Sequence, residues 1–443
     1  MTRRAAPMAM AVTPRRKGPA VSISGHPFPP PPITGDQHLV KSLNRMALLR
    51  LMRERPGLSR AELADLSGLT RSTVSLLVKE LIHEGWLAED AAVVSGALGR
   101  RPTPLRPDGR RLALLGAELT PDTIRVVSSS IHGEVQEVNQ AALRDTSPEA
   151  ACHQLVDMVT VLAARVALSG RSLLGIGVGL PGAVDPTSGV LHFAPNIGWR
   201  NVAVGQRLRV ELDAAGLAAV PVYCQNEADV AAVGEAEFGP KPAADPLVYV
   251  TCGVGLGSGV VLGQGLFTGA TGAGGEIGHT TLHLDGRPCS CGRLGCAEAY
   301  IGLRAIAADA GFLRANGEID RVGLQQQMAS RHPVARQAFE RAGQYLGVLL
   351  HNVWVTFDPQ VVVLGGEVVS LGGEPFIEAA LARLHGDAGR AGLPPVPIRV
   401  SRFGDLATAI GGAAFALHAM LRPLAVQAIA PLGAAPAAAG PQN

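Results

Sequence analysis

Apolar positions recur at helical spacing in three blocks near the start of the chain, predicting helices over Leu39–Arg55, Ser59–Ser67 and Thr70–Glu84. Pro56-Gly57 ends the first, Gly68 supplies the turn after the second, and Gly85 closes the third. Ser59 with Glu62 reads as a capping box, and Thr70 can cap the third helix. Two helices joined by a tight glycine-containing turn make a helix-turn-helix. After Trp86-Leu87, a segment tipped by Gly96 and Gly99 and followed by Arg100, Arg101 and Pro102 has the form of a β-wing.

Further along, short apolar runs alternate with helical stretches. Strands are predicted over Leu112–Leu119, Thr123–Ser130, Glu134–Val138, Leu173–Leu180, Val220–Gln225, Leu247–Cys252 and Gly257–Leu262. Helices are predicted from about Pro148 to Ser169 and over Glu227–Glu237. That order implies two successive mixed α/β lobes. The first 36 residues mix Arg, Ala and Pro and contain Pro29 to Pro32, and the Ala/Pro-rich end offers no apolar periodicity, so both are expected to be disordered tails. The expected division is 1–36 tail, 37–107 winged helix-turn-helix, 112–240 first lobe, 245–421 second lobe with a metal loop, and 422–443 tail.

With 443 residues, 47% hydrophobic and 17% charged, the chain reads as a soluble globular protein. No run approaches the ~18 uninterrupted apolar residues of a membrane helix. Pro14, Lys17, Gly18 and Pro19 interrupt any signal-peptide core, so a cytoplasmic location is expected. Net charge is only +2, but residues 1–40 carry five Lys/Arg against one acid, and residues 41–111 carry thirteen against eight. A basic front on an acidic body points to nucleic acid.

In a helix-turn-helix the second helix enters the major groove and reads base edges with polar residues near its start. Arg71, Ser72, Thr73, Ser75 and Lys79 meet that need, and Arg100 and Arg101 of the wing can reach phosphates or the minor groove. Leu69, Val74, Leu77, Val78 and Leu81 read as core, and Arg50, Arg53 and Arg55 as a solvated helix face. A single recognition helix usually needs a two-fold partner to read an inverted repeat, so a homodimer or dimer of dimers is expected.

Three of six cysteines lie within eight residues. His279, Cys289, Cys291 and Cys296 form His-x9-Cys-x-Cys-x4-Cys, four ligands suited to one tetrahedral structural Zn2+. Cys152, Cys224 and Cys252 are solitary and read as core.

The segment Gly274-Gly275-Glu276-Ile277-Gly278-His279, followed by Cys289-Ser-Cys291-Gly292-Arg-Leu-Gly295-Cys296-Ala-Glu298, resembles the signature of the ROK family of repressors and sugar kinases. Gly175 to Gly182, Pro195-Asn196-Ile-Gly198-Trp199, Asp358-Pro359 and Ala409-Ile-Gly411-Gly412-Ala413 match in order. The resemblance covers about residues 112–420 and implies an actin-like ATPase (ribonuclease H-like) sugar-kinase fold behind the winged helix-turn-helix of the repressor branch.

It also implies a monosaccharide site at Asn226, Glu227, Glu276, His279 and Glu298. Where family kinases carry Asn-Asp-Ala-Asn with a catalytic Asp, this chain has Asn226-Glu227-Ala228-Asp229. Where they carry Asp-x-Gly-Gly-Thr, it has Glu118-Leu119-Thr120-Pro121-Asp122, in which Pro121 lacks an N–H and Asp122 adds a charge that repels phosphate. Val254 replaces a hydroxyl-bearing Thr in the second phosphate loop, Gly253 to Gly259. The expectation is a sugar-sensing repressor of carbohydrate-utilisation genes that binds no ATP and has no catalytic residue. The alternative is an active ATP-dependent sugar kinase fused to a DNA-binding head.

Overall fold

The computed structural model describes residues 36–422 apart from 92–102, 264, 393 and 395. It divides into two units, Met1–Lys41 and Ser42–Asn443. In the first, Asp36 Oδ1 accepts the Leu39 N–H at 2.7 Å at the start of helix α1 (Gln37–Glu54), whose later turns belong to the second. Apart from Asp36 and Arg422, the expected tails lie outside the described residues, as do Gly96, Gly99, Arg100 and Arg101 of the wing tip.

Local signals set the head. Ser59 and Glu62 form the capping box that opens α2 (Arg60–Ser67), and Gly68, at φ 70°, ends it in the left-handed region. Thr70 then caps α3 (Arg71–His83), its hydroxyl accepting the Thr73 N–H at 3.2 Å. Leu48, Met52, Leu63, Val74, Val78 and Leu81 close the small core between the helices. The wing is a two-stranded ribbon, β1 (Leu87–Glu89) antiparallel to β2 (Leu105–Pro107).

The body is built twice on one plan. In the first lobe β3 (Leu112–Leu119), β4 (Thr123–Ser129) and β5 (Val135–Ala142) form an antiparallel meander, with α4 (Pro148–Leu168) packed on it. Parallel strand β6 (Ser172–Leu180) follows. A small sheet of β7 (Ala183–Val184), β8 (Leu191–Ala194) and β9 (Trp199–Val202) and helix α5 (Val204–Ala214) lead to β10 (Val222–Asn226), giving the order β10-β6-β3-β4-β5.

Helix α6 (Glu227–Phe238) crosses to the second lobe. There β11 (Leu247–Cys252), β12 (Leu256–Leu262) and β13 (Gly265–Leu266) repeat the meander. Four helices follow: α7 (Glu298–Ile301), α8 (Leu303–Ala310), α9 (Arg321–Ala329) and α10 (Pro333–Phe357). Parallel strand β14 (Val361–Gly365), α11 (Glu367–Ala391), parallel strand β15 (Ile398–Val400) and α12 (Ala407–Leu421) complete it, with sheet order β13-β12-β11-β14-β15. Sequence periodicity did not delimit β7 to β9 or the helices of the second lobe.

Two glycine contacts fix how the lobes meet. A Cβ on Gly177 of β6 would lie 1.9 Å from the Gly412 carbonyl oxygen, so α12 seats on the first-lobe sheet only because both positions are bare. A Cβ on Gly411 would lie 2.3 Å from the Val230 oxygen, so α12 also presses directly on α6. Helix α4 and the helical stretch Gly404–Leu421 that ends in α12 are long and apolar enough to cross a membrane, but both pack against the sheets.

The solvated face expected for Arg50, Arg53 and Arg55 is corrected for two of the three. Arg50 donates to the Leu421 carbonyl at 3.0 Å, and Arg53 to the Ile131 carbonyl at 2.7 Å and to Glu237. The reason is that the turn of α1 bearing them lies on the body, where carbonyls at element ends need donors.

Candidate effector cleft, metal knot and DNA-reading helix

On α3 the buried stripe of Val74, Leu77, Val78 and Leu81 turns the opposite face outward. Arg71, Ser75 and Lys79, four residues apart, are exposed along it. Ser72 and Thr73 behave differently, because both hydroxyls lie within 3.0 Å of Thr70 Oγ1 and help to close the helix start.

The knot follows the one-turn helix Ile277–His279. Gly278 allows that turn to sit on β12, since a Cβ there would lie 1.8 Å from the Leu256 oxygen. The ligand atoms of His279, Cys289, Cys291 and Cys296 all lie within 4.8 Å of one another. Cys289 Sγ is 3.7 Å from His279 Nδ1, and Cys291 Sγ is 3.8 Å from Cys296 Sγ. A tetrahedral ion with metal–sulfur bonds of about 2.3 Å requires edges of about 3.7 Å, so the four donors fit a metal. The solitary Cys152, Cys224 and Cys252 are buried, as expected.

The resemblance assigned five residues to a sugar, and the structure distributes them. Glu227, at the start of α6, lines a cavity of about 510 Å³ between the lobes. Glu276 and His279 line a neighbouring cavity of about 440 Å³ together with His192, Phe193 and Thr271. Asn226 and Glu298 line neither. Asn226 caps α6, its Oδ1 accepting the Ala228 and Asp229 N–H groups and its Nδ2 donating to the Gly182 carbonyl at 2.9 Å. Glu298 ties the knot to the β12 turn: Oε1 accepts the Ser290 hydroxyl at 2.7 Å and Oε2 the Leu256 N–H at 3.1 Å.

The same geometry lets His279 serve both assigned roles. Its Nδ1 faces Cys289 while its Nε2 lies 3.9 Å from Glu276 Oε2, so a metal on one nitrogen leaves the other for the cleft. Burial pushes the Glu227 carboxyl up to about 8, with Glu276 and Glu118 adding repulsion, and burial raises the Asp229 carboxyl behind it as well. Asn196, which lines the lobe cavity, was legible only as part of a matching motif and not as a site residue.

The phosphate side is closed by charge pairs. Arg125 donates to Glu118 Oε2 at 2.8 Å. Arg321, on α9 of the second lobe, reaches across to Asp122 at 2.8 Å and to Glu367 at 2.7 Å. Asp122 is therefore one half of a bridge between the lobes. Nothing local in the sequence marks Arg321, which is 199 residues from Asp122. In the second glycine loop the Gly253 N–H donates to the Gly255 carbonyl at 2.9 Å, making a tight turn between β11 and β12.

The duplicated lobes, the cleft between them and the Cys/His knot define a sugar-kinase-like body carrying a helix-turn-helix head. The ROK family model matches residues 121–419, and the chain belongs to that family. The IclR helix-turn-helix domain model matches residues 44–91. The xylose repressor of Caldicellulosiruptor bescii is 30% identical over 400 residues, covering 87% of this chain and 98% of that protein. The DNA-binding transcriptional dual regulator NagC of Escherichia coli is 27% identical over 404 residues, covering 89% and 97%. A crystal structure of a ROK family transcriptional regulator, homologous to the Escherichia coli MLC protein, superposes with a TM-score of 0.70 at 22% identity, covering 87% and 98%, and shares the fold.

Proposed function

We propose that the protein is a repressor of carbohydrate-utilisation genes that reads an inverted-repeat operator as a homodimer and is controlled by a monosaccharide in the interlobe cleft. The carrying observation is helix α6. Its first residue, Glu227, lines the cleft, and Glu237 near its other end receives Arg53 of the head. A sugar that prefers one lobe arrangement displaces the cleft end of α6, and the Arg53–Glu237 contact carries that displacement to the head. Coupling of ~1 to 3 kcal/mol is enough to move operator occupancy from mostly bound to mostly free.

Glu227, Glu276 and His279 are the cleft groups offered to sugar hydroxyls, with Asn226 and Glu298 holding the surrounding loops in place. Arg71, Ser75 and Lys79 face DNA, with Ser72 and Thr73 supporting the helix start and Arg100 and Arg101 assigned to the wing. Zn2+ on His279 and the three cysteines would cross-link the loop between Gly278 and Glu298 without joining any reaction.

Phosphoryl transfer is not expected. Glu118, Asp122, Glu367 and Asp405 line the lobe cavity beside the protonated Glu227 and against only Arg125 and Arg321, a balance of acids over bases that does not favour a polyphosphate. Xylose is the first sugar to test, given the name of the 30% identical relative. Calorimetry across monosaccharides, paired with operator binding and an ATP-consumption assay, tests the reading. Sugar binding that leaves operator affinity unchanged sinks the sensor, and sugar-dependent ATP turnover sinks the loss of catalysis.

A further inference from the structure

A third cavity, of about 370 Å³, lies where the last turn of α1 meets the ends of α6 and α12. Arg50, Arg53 and Arg422 stand partly buried in its wall, and Arg55 and Lys241 are exposed at its edge. Three carboxylates face these five cations, those of Glu54, Glu237 and Asp245.

The buried carboxylate is already shared. Glu237 Oε1 accepts from His418 Nδ1 at 2.8 Å and from Arg422 at 2.7 Å, and Oε2 accepts from Arg53 at 3.3 Å. Arg50 and Lys241 instead donate to neutral carbonyls, of Leu421 at 3.0 Å and Ala236 at 2.7 Å. His418 is 2% exposed and lines the same cavity, and its Nε2 has no partner among the described residues. Burial lowers the pKa of Arg50, Arg53 and Lys241, and the Arg422 charge lowers each further. Positive charge is therefore crowded into a half-enclosed space with fewer counter-charges than cations, beside a buried nitrogen that lacks a partner.

We propose that this cavity binds a small multivalent oxyanion of the phosphate class, held between head and body by Arg50, Lys241 and Arg422, with His418 in the same wall. Guanidinium groups suit such a ligand because they present paired donors to two oxygens at once. The space accommodates either inorganic phosphate or the phosphate of a small monoester. Because the walls belong to both the head and the lobes, a bound anion cross-links them. The site shares no residue with the cleft and stands whether or not the cleft binds a sugar.

The test is calorimetry of the full chain at constant ionic strength with inorganic phosphate, glucose 6-phosphate and glucose, on wild type and on Arg50→Gln, Lys241→Gln and Arg336→Gln. Arg336 is exposed on α10 and serves as the control. The expected result is saturable one-to-one phosphate binding, weakened at least tenfold by Arg50→Gln and by Lys241→Gln and unchanged by Arg336→Gln. Tighter binding of glucose 6-phosphate than of phosphate, lost in the same two variants, identifies a monoester; equal binding identifies free phosphate. No saturable binding to wild type, or binding equally strong in both cavity variants, overturns the proposal. Lys241 lies at the surface with only its ammonium turned in, onto the Ala236 carbonyl, so its substitution spares the apolar core, and circular dichroism melts of both variants check that they are folded.

Discussion

Arg53 Nη2 donates to the backbone carbonyl of Glu237 at 2.9 Å and to its carboxylate at 3.3 Å, although the two residues are 184 positions apart. Glu237 stands ten residues after Glu227 on the same helix, about 15 Å along the axis at 1.5 Å per residue. The contact thus joins the DNA-binding head to the rod whose other end lines the cleft. A rigid helix held at both ends is a short path for coupling, because neither end can shift without the other responding.

Glu237→Gln is expected to weaken the junction by about 3 to 5 kcal/mol, the usual cost of breaking a buried ion pair. Burial raises the Glu237 carboxyl, but the hydrogen bond from His418 and the charges of His418, Arg53 and Arg422 together hold it well below the usual carboxylate range. Folded protein therefore binds fewer protons here than unfolded protein. The stabilisation is complete above the ordinary carboxylate pKa and is lost as pH falls through and below it. Thermal melts from pH 7 to pH 3 check this: the wild type should lose a growing part of its excess stability over Glu237→Gln below about pH 4.5. A constant difference would contradict the assignment.

Arg71→Ala should cost ~1 to 3 kcal/mol of specific operator binding, whereas Lys79→Ala should weaken all duplexes alike and flatten the salt dependence by about one unit. Both side chains are exposed on the face of α3 opposite its core, so neither substitution should lower thermal stability appreciably. Salt-dependent titrations on operator and random duplex separate the two effects. Footprints indifferent to both would remove α3 from the interface.

One zinc per chain is expected in unchelated protein, and Cys291→Ser should lose it together with order in the loop between Gly278 and Glu298. Metal binding to thiolates is coupled to local folding. Elemental analysis of wild type and variant, with hydrogen exchange across residues 277–300, reads both consequences. A wild-type protein purified without chelator and found free of zinc would defeat the assignment.

Glu227 supplies a second pH signature of opposite sign. Its carboxyl, raised to about 8 mainly by burial, is protonated in the folded state at pH values where the unfolded chain is ionised. Stability from this group is full below the ordinary pKa of 4.5 and declines as pH rises from there to about 8. Glu227→Gln, neutral at every pH, should abolish that decline. Melts of the two proteins between pH 5 and pH 9 should converge at the acid end and diverge toward the basic end, and parallel curves would refute the shift.

The head and the knot were legible in the sequence because their signals are local. The Ser59–Glu62 box, Gly68 at the turn and Thr70 at the cap each act within four residues, and the knot ligands span only His279 to Cys296. The two-lobe order was likewise readable from alternating periods, since each strand or helix buries its own face. Other features had no local expression. Arg53 looked like part of a wet face until the body supplied the Ile131 and Glu237 carbonyls. Arg321 became a bridge only once α9 met the Asp122 turn and Glu367. Asn226, assigned to a sugar by resemblance, also caps α6, its amide bonded to Gly182, Ala228 and Asp229, a role that no local signal announced. Periodicity and capping come from the backbone's own repeat, so the chain determines them alone. The partner of a long charged side chain depends on which elements are brought within about 3 Å of it, and that was decided only when the lobes closed on each other.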